Sequence, residues 1–330
     1  MTKSQLLPTS NSFLGIKAVV VGASGFIGSH VVDALLARGC QVRAVARHFP
    51  GLIAESAMAN SSLTIYQHDM RDRLALEQTL EGVDLVIHLA SGSLPQSSNR
   101  FPHDDVKVNL LGALNLLEAA RQNNVKKMVV ISSGGTVYGV PNQSPISEEH
   151  PTDPICSYGI TKLAIEKYVS LYRKIYGLNS IVLRLANPYG ERQRLDSTQG
   201  VVPVFLGRAL RHQKLEIWGD GTIVRDFLYI SDAIDAILSA CMYYGSEHLF
   251  NVGSGVGLSL NDLIYLIEQE VGYSLEVSYQ LARGFDVPAN VLCIDKVQTE
   301  FKWHPKVSAS EGLHRFHRWL VKNQRVNPGT

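Results

Sequence analysis

"VVVGASGFIGSH", residues 19–30, is the stretch on which the fold turns. It begins inside "KAVVVGA", a continuous apolar run ending in glycine, as a strand buried on both faces does. "FIGSHVVDALLARG" then has helical spacing and stops at Gly39, a good helix terminator. Between strand and helix stand Gly22, Gly25 and Gly28. Glycines there permit a tight turn and let a pyrophosphate approach the backbone, where unpaired N–H groups at the helix N-terminus receive it. A loose glycine pattern alone also describes turns that bind nothing. Its place in the first strand–helix–strand unit favours dinucleotide binding.

The pattern repeats outward from there. "QVRAVA" reads as a second strand and "LTIYQ" as a third, with the helix "RDRLALEQTLEG" after it. "VDLVIHLA" is a fourth strand, a long helix covers about 104–124, and "KKMVVISS" is a fifth strand. The helix "SYGITKLAIEKYVSLYRKIYG", residues 157–177, leads to a sixth strand, "SIVLRLA". Uninterrupted alternation implies right-handed crossovers and an α/β fold, a doubly wound parallel sheet with helices on both faces. After Asn187 the alternation breaks, and "NPYGERQRLDSTQG", "WGDGTIVRD" and "VGSGVG" bring frequent turns. The expected division is a flexible tail at 1–16, a dinucleotide-binding domain at 17–186, and a smaller α+β substrate-binding portion at 187–330. That portion rests on the carboxyl ends of the strands, where open parallel sheets bind ligands.

Bulk properties narrow the function classes. The 330 residues are 45% hydrophobic and 18% charged, with a net charge of +1. Both signs are spread along the chain, without the basic stripe that nucleic acid demands. Cys40, Cys156, Cys241 and Cys293 lie far apart and form no CxxC pair, so reduced cytoplasmic thiols are expected, with no metal site and no disulfide. No apolar run approaches the length of a membrane span. "MTKSQLLPTSNSFLG" lacks the apolar core of a signal peptide.

Several residues at the predicted strand ends carry chemistry. An acid at the end of strand two would accept from an adenosine ribose and mark NAD. Ala46 and Arg47 stand there instead. Arg43, Arg47 and His48 are either surface charge or a seat for a 2′-phosphate, so NAD and NADP both stay open. Asp69, after strand three, is placed to reach an adenine amino group. Tyr158 and Lys162 share one helix face at i, i+4. Among 13 tyrosines only Tyr158 has a lysine four residues on. A phenol has a pKa of about 10, and lowering it by about 3 units takes roughly 4 kcal/mol of preferential phenolate stabilisation. A neighbouring ammonium and an oxidised nicotinamide supply that. Arg225 in "VRDFLY" and Arg283 in "ARGFD" each stand near an acid, Asp226 and Asp286, that would orient the guanidinium toward a diphosphate.

Together these residues resemble the extended short-chain dehydrogenase/reductase family, whose sheet is Rossmann-type, and within it the nucleotide-sugar epimerases, dehydratases and 4-ketoreductases. The likeness runs from about Lys17 to Leu320 through ordered segments: "GASGFIGSH", "DMRD", "HLAS", "NLLGALNLLEAA", "SSGGTVYG", "SYGITK", "NPYGERQ", "WGDGTIVRDFLYISD", "FNVGSG" and "RGFD". The look is closest to UDP-glucose/UDP-galactose 4-epimerase-like members. The resemblance implies that Gly22, Gly25 and Gly28, with Ser24, Phe26 and Ile27, hold the cofactor pyrophosphate. It adds Arg47, Asp69, Met70, Leu89, Ala90, Ser91 and Ser132 to the cofactor-binding wall. Tyr158 would take the proton of the sugar 4-hydroxyl while nicotinamide takes the C4 hydride, and Lys162 would bridge the nicotinamide ribose and acidify Tyr158. Asn187, Arg225 and Arg283 would meet the sugar nucleotide at its phosphates, with Asp286 beside Arg283 in the substrate-binding site, and Val202 and Trp218 would line its base. A homodimer through the helices near 104–124 and 157–177 is implied as well.

One position departs from that family. Its third catalytic hydroxyl stands three residues before the valine of "VYG", and here that residue is Gly134, between Ser133 and Thr136. Either one of those neighbours reaches in, or a water does, or the triad is a dyad. The glycine also leaves room for the sugar to move. The family's 4,6-dehydratases carry Asp-Glu at the positions of Gly135 and Thr136, which argues against that reaction. An epimerase with recycled NAD is the leading expectation. An NAD(P)H-dependent 4-ketoreductase and a cofactor-binding scaffold with reduced catalysis are the alternatives.

Overall fold

The first strand is apolar on both faces because both faces are covered. In a computed structural model that describes residues 13–49, 53, 59–93, 95–195, 200–282 and 287–323, β1 (Lys17–Val21) sends Val19 and Val21 to one side and Ala18 and Val20 to the other, all four buried. It is followed by α1 (Phe26–Leu36), β2 (Gln41–Ala46), β3 (Leu63–Gln67), α2 (Arg73–Thr79) and β4 (Leu85–His88). Next come α3 (Pro95–Arg100), α4 (Pro102–Asp105), a π-helical segment (Val106–Leu111) and α5 (Gly112–Gln122). β5 (Lys127–Ser133), α6 (Ser157–Tyr176) and β6 (Ser180–Leu185) close the first half.

The second half opens with β7 (Asn187–Tyr189), α7 (Val201–Leu210), β8 (Leu215–Trp218), β9 (Val224–Tyr229), α8 (Ile230–Met242) and β10 (Leu249–Val252). It ends with β11 (Gly257–Ser259), α9 (Leu260–Val271), β12 (Val277–Gln280), β13 (Ala289–Asn290), α10 (Asp295–Phe301) and α11 (Ala309–Lys322). Seven strands form one sheet in the order β10-β6-β5-β4-β1-β2-β3, and every pairing in it is parallel. The chain runs β1, β2, β3 outward and returns to place β4 on the other side of β1. That reversal opens a crevice at the carboxyl ends of β1 and β4.

Val19 and Val21 pack with Leu116 and Leu117 of α5 and Ile165 and Val169 of α6. Ala18 and Val20 pack with Val31 and Leu35 of α1 and Ala233 and Ile237 of α8. Leu35 is fully buried, so Leu35→Ala removes about 2–5 kcal/mol of stability. In the second half, β9 pairs with β7, β11 and β13, and β8 with β12.

Three expectations are corrected here. The long helix near 104–124 spans Pro102–Gln122 and is interrupted by the π-helical turns at Val106–Leu111. The domain division after residue 186 is crossed, because α8 and β10 come from the second half and β10 completes the large sheet. Of the tail at 1–16, residues 1–12 lie outside the described residues, while Phe13 is buried and the Gly15 N–H donates to the Gly39 carbonyl at 3.2 Å. Packing of Phe13 beside Cys40 draws this end onto the sheet.

Candidate functional site

The crevice is a cleft of about 1020 Å³ between the carboxyl edge of the sheet and the second half. Its floor is the β1–α1 turn. Gly22 has φ 92°, and a Cβ there would stand 2.6 Å from the Ala90 backbone nitrogen. A Cβ on Gly28 would stand 2.1 Å from the Gly22 carbonyl oxygen. Neither position admits a side chain, and the bare turn leaves the start of α1 open to the cleft. Ser24, Gly25, Phe26 and Ile27 complete that floor, with Met70, Leu89, Ala90 and Ser91 beside it. A backbone cradle at a helix N-terminus suits the pyrophosphate of a dinucleotide, so these residues fit that cofactor.

At the adenosine end the charges sort themselves. Asp69 lines the cleft and accepts from the Arg71 backbone N–H at 2.9 Å and from its guanidinium at 3.0 Å. The Arg71 side chain holds the Asp69 carboxyl below its ordinary value, with Arg47 adding to the effect. Arg47 and His48 are exposed at the rim, just past the buried Ala46. Arg43 is not available to a 2′-phosphate. It donates to the carbonyls of Thr79 at 2.6 Å and Glu81 at 2.9 Å, which ties β2 to the end of α2.

Tyr158 and Lys162 come from the first turns of α6. The Cys156 side chain caps this helix by accepting from the Gly159 N–H. Ser98 Oγ accepts from the Tyr158 N–H at 3.0 Å, and Asn99 Oδ1 from the Ser157 N–H at 2.8 Å. Lys162 is buried, its Nζ donates to the Ile131 carbonyl at 2.9 Å, and it stands 5.7 Å from the centre of the Tyr158 ring. Burial pushes Lys162 down to about 8, against the upward pull of Glu166 and Asp105. Burial pushes the Tyr158 phenol up to about 12, with the nearby Ser91 side chain acting in the lowering direction. In both residues burial works against the charged form, the ammonium of Lys162 and the phenolate of Tyr158. Added positive charge in the cleft would release the phenol proton.

The strand end "SSGGTVYG" is rearranged relative to the expectation. Ser132 Oγ is turned under the sheet and donates to Glu166 Oε1 at 2.5 Å, so Ser132 meets the cleft without its hydroxyl. Glu166 is itself clasped by Arg184 at 2.7 Å, a buried ion pair. Gly134 does not line the cleft. Its N–H donates to the Leu185 carbonyl at 2.8 Å and its carbonyl accepts from Asn290 Nδ2 at 3.1 Å. A Cβ at Gly134 would lie 2.5 Å from Leu292 Cδ1. The glycine thus leaves no room for sugar movement, because Leu292 from the second half fills its side-chain direction. Ser133 and Thr136 do line the cleft, and the buried Thr136 hydroxyl has no hydrogen-bond partner among the described residues.

The second half supplies the remaining wall. Asn187, Val202, Trp218 and Arg225 line it, Val202 buried and Trp218 exposed. The Asn187 amide donates to the Asp226 carbonyl at 2.9 Å. Arg225 donates to the carbonyls of Val224 at 2.8 Å and Val287 at 2.7 Å. Its neighbour Asp226 does not orient it. Asp226 is fully buried and accepts from Ser254 Oγ at 2.6 Å and from the N–H groups of Ser254, Gly255 and Leu292. Arg283 and Asp286 lie outside the described residues. Sequence reasoning missed Asp105, Glu166, Arg184 and Leu292. Glu166 stood visible one turn beyond Lys162, but partners on distant strands carry no local signal.

The comparisons with known proteins agree with this geometry. The model of the NAD dependent epimerase/dehydratase family matches residues 18–253. The UDP-glucose 4-epimerase of Mycolicibacterium smegmatis is 34% identical over 305 residues, covering 90% of this chain and 96% of that protein. The dTDP-4-dehydro-6-deoxyglucose reductase of Escherichia coli is 33% identical over 243 residues, covering 74% of this chain and 75% of that protein. Among solved structures, the UDP-glucose 4-epimerase of Thermotoga maritima with UDP-glucose aligns with a TM-score of 0.88 at 36% identity, covering 94% of this chain and 100% of that one.

Proposed function

The chain belongs to the NAD-dependent epimerase/dehydratase family, and on that premise we propose that it is a nucleotide-sugar 4-epimerase, acting on a UDP-hexose such as UDP-glucose or UDP-galactose or its N-acetyl form. It is an enzyme of an NAD-dependent family, and Gly22, Gly25 and Gly28 with Ser24, Phe26 and Ile27 would hold the cofactor. When bound, NAD supplies reversible removal of the hydride at the sugar C4. The observation that carries the reading is the Tyr158–Lys162 pair at the carboxyl edge, facing the same cleft as the glycine cradle.

Tyr158 acts as the base for the sugar 4-hydroxyl and returns the proton when the opposite face is reduced. Lys162 holds positive charge beside the phenol and lowers the cost of the phenolate. Thr136 and Ser133 offer hydroxyls to the sugar, and Arg225 with Asn187 meets the diphosphate. Trp218 and Val202 flank the base. Gly135 and Thr136 bring no carboxylate into the cleft, which argues against loss of water across C5 and C6.

A second reading, a 4-ketoreductase that consumes NAD(P)H, draws on Arg47 at the rim and on the likeness to the E. coli reductase. The test is direct. The purified protein is denatured and its dinucleotide identified, and UDP-glucose or UDP-galactose is then supplied without added cofactor. Interconversion with NAD released supports the epimerase. Turnover that needs both a 4-keto sugar nucleotide and NADPH replaces it with the reductase, and turnover under neither condition leaves a scaffold.

We further infer a cytoplasmic homodimer. Val106, Leu111, Ile160, Leu171 and Ile175 are exposed on the segments 102–122 and 157–176, and a second copy would cover them. Leu171→Glu with Ile175→Glu should halve the mass measured by sedimentation; an unchanged mass refutes this interface.

A further inference from the structure

A carboxylate that the chemistry does not use is enclosed beside the catalytic helix. Asp105 is 1% exposed. One of its oxygens accepts from Ser93 Oγ and from Asn109 Nδ2, the latter at 2.7 Å. The other accepts from Ser157 Oγ at 2.8 Å and Thr161 Oγ1 at 2.7 Å. All four donors are neutral groups. Burying a charge is costly unless hydrogen bonds satisfy it, and bonds to an ionised acceptor are the strong ones. We propose that Asp105 is a positioning residue of the active site: it clamps the Ser157 and Thr161 face of α6 to the segment beyond β4, and so fixes the rotation at which Tyr158 and Lys162 face the cleft. This role rests on the reading of Tyr158 as the base.

Helix geometry links the two pairs. Ser157 and Thr161 are four residues apart, as are Tyr158 and Lys162, and each pair shares one face. Adjacent residues differ by about 100° around the helix axis, so holding the first pair sets the direction of the second. Asp105 opposes rotation of α6, while α3 opposes its slippage along the axis. There Ser98 Oγ accepts from the Tyr158 N–H at 3.0 Å and Asn99 Oδ1 from the Ser157 N–H at 2.8 Å.

Asp105 is itself held. The π-helical turn that begins at Val106 brings Asn109 back onto it, and such turns recur at functional sites. Asn109 Nδ2 also donates to Ser93 Oγ at 2.8 Å, and its Oδ1 accepts from the Gly92 N–H at 2.7 Å. A Cβ at Gly92 would lie 2.3 Å from Val108 Cγ1, so the segment beyond β4 packs directly on this turn. Gly92 and Val108 both line the cleft. One buried carboxylate thus joins the cofactor wall to the catalytic helix.

Thr161→Val keeps the side-chain shape and removes one donor, and Asp105→Asn removes the charge at nearly constant shape. Both are assayed in whichever reaction the wild-type protein shows, epimerisation without added cofactor or NADPH-dependent reduction. Each should lower kcat roughly 10- to 100-fold and leave KM for the sugar nucleotide within about twofold, since the diphosphate and base are met by other elements. Thr161→Ser, which keeps the hydroxyl, should bring kcat back to within about twofold of wild type. Rates are expressed per bound dinucleotide. A purely structural role would lower only the loaded fraction, so unchanged kcat in these variants overturns the proposal. Should Asp105→Asn fail to fold, Thr161→Val alone decides. If the wild type turns over neither substrate, the epimerase and reductase readings both fail, and the clamp is then read by hydrogen exchange in the ligand-free protein. The amides of residues 157–163 should exchange about tenfold faster in Thr161→Val and recover in Thr161→Ser; unchanged exchange overturns the clamp by itself.

Discussion

The two ends of β5 each carry a buried lysine over a tyrosine ring. At the carboxyl end, Lys162 stands 5.7 Å from the Tyr158 ring, its Nζ on the Ile131 carbonyl of β5. At the amino end, Lys127 opens the strand, 5.0 Å from the Tyr244 ring and 5.9 Å from that of Tyr243, its Nζ on the Tyr243 carbonyl. Burial pushes both ammonium groups down to about 8. By side-chain chemistry alone the two sites are near twins. They differ in what surrounds them. Tyr158 and Lys162 open into the cleft beside the glycine cradle. The Tyr243 hydroxyl donates to Glu300 at 2.6 Å, and burial together with that carboxylate pushes it up to about 12. A perturbed lysine beside a tyrosine thus marks a site only where a ligand can reach it.

The largest effect expected from this contrast is on turnover. Tyr158→Phe and Lys162→Met should each lower the rate by about 10³-fold, while Lys127→Met should leave it within about twofold, since Lys127 acts only on folding. Steady-state rates on protein of native circular dichroism decide it. A comparable loss in Lys127→Met would erase the distinction between the two ends.

Next comes stability beneath the carboxyl end. Glu166 stands one turn beyond Lys162 and is paired with Arg184 at 2.7 Å. Arg184→Met leaves a buried carboxylate unpaired and should cost about 3 kcal/mol in denaturant unfolding. Lys127→Met removes a buried charge that has no carboxylate partner among the described residues, so its effect should be smaller than that of Arg184→Met. A larger loss in Lys127→Met would mean that its carbonyl and ring contacts outweigh the cost of burying it.

A further effect is in pH. The folded Lys127 titrates at about 8 against an ordinary 10.5. Between those values the unfolded chain binds the extra proton, so stability rises with pH. Wild-type protein should gain on Lys127→Met as pH climbs from about 8 to about 10.5, as read by urea midpoints at each pH. Ligand-free Lys162→Met should show the same sign, with the added loss of activity that Lys127→Met lacks. A flat difference would place Lys127 at its ordinary value.

Much of this molecule was readable before its shape was known. Val19 to Val21 are apolar without alternation, and both faces of β1 are covered. The i, i+4 spacing of Tyr158 and Lys162 put them on one helix face. Harder to read were the partners of single polar residues. Asp226 looked like the orienting acid of Arg225, yet successive strand residues point to opposite faces, and it turns inward to Ser254, Gly255 and Leu292. Arg43 looked free for a phosphate, yet it spans to the carbonyls at the end of α2. Both errors took sequence adjacency for contact.

Gly134 shows the same limit at the catalytic centre. That a hydroxyl is absent there is legible from one letter. That Leu292 fills the space, held by Asp226 through its backbone N–H, depends on residues 66 or more positions apart meeting in three dimensions. Asp105 likewise clasps the segment beyond β4 to α6 only because distant stretches of the chain meet there. Hydrophobic periodicity and glycine placement are local properties of the chain, so the sequence by itself determined the α/β fold, the cradle and the Tyr158–Lys162 pair. What fills the side-chain space at Gly134 was decided by close packing between distant segments, which only the tertiary structure contains.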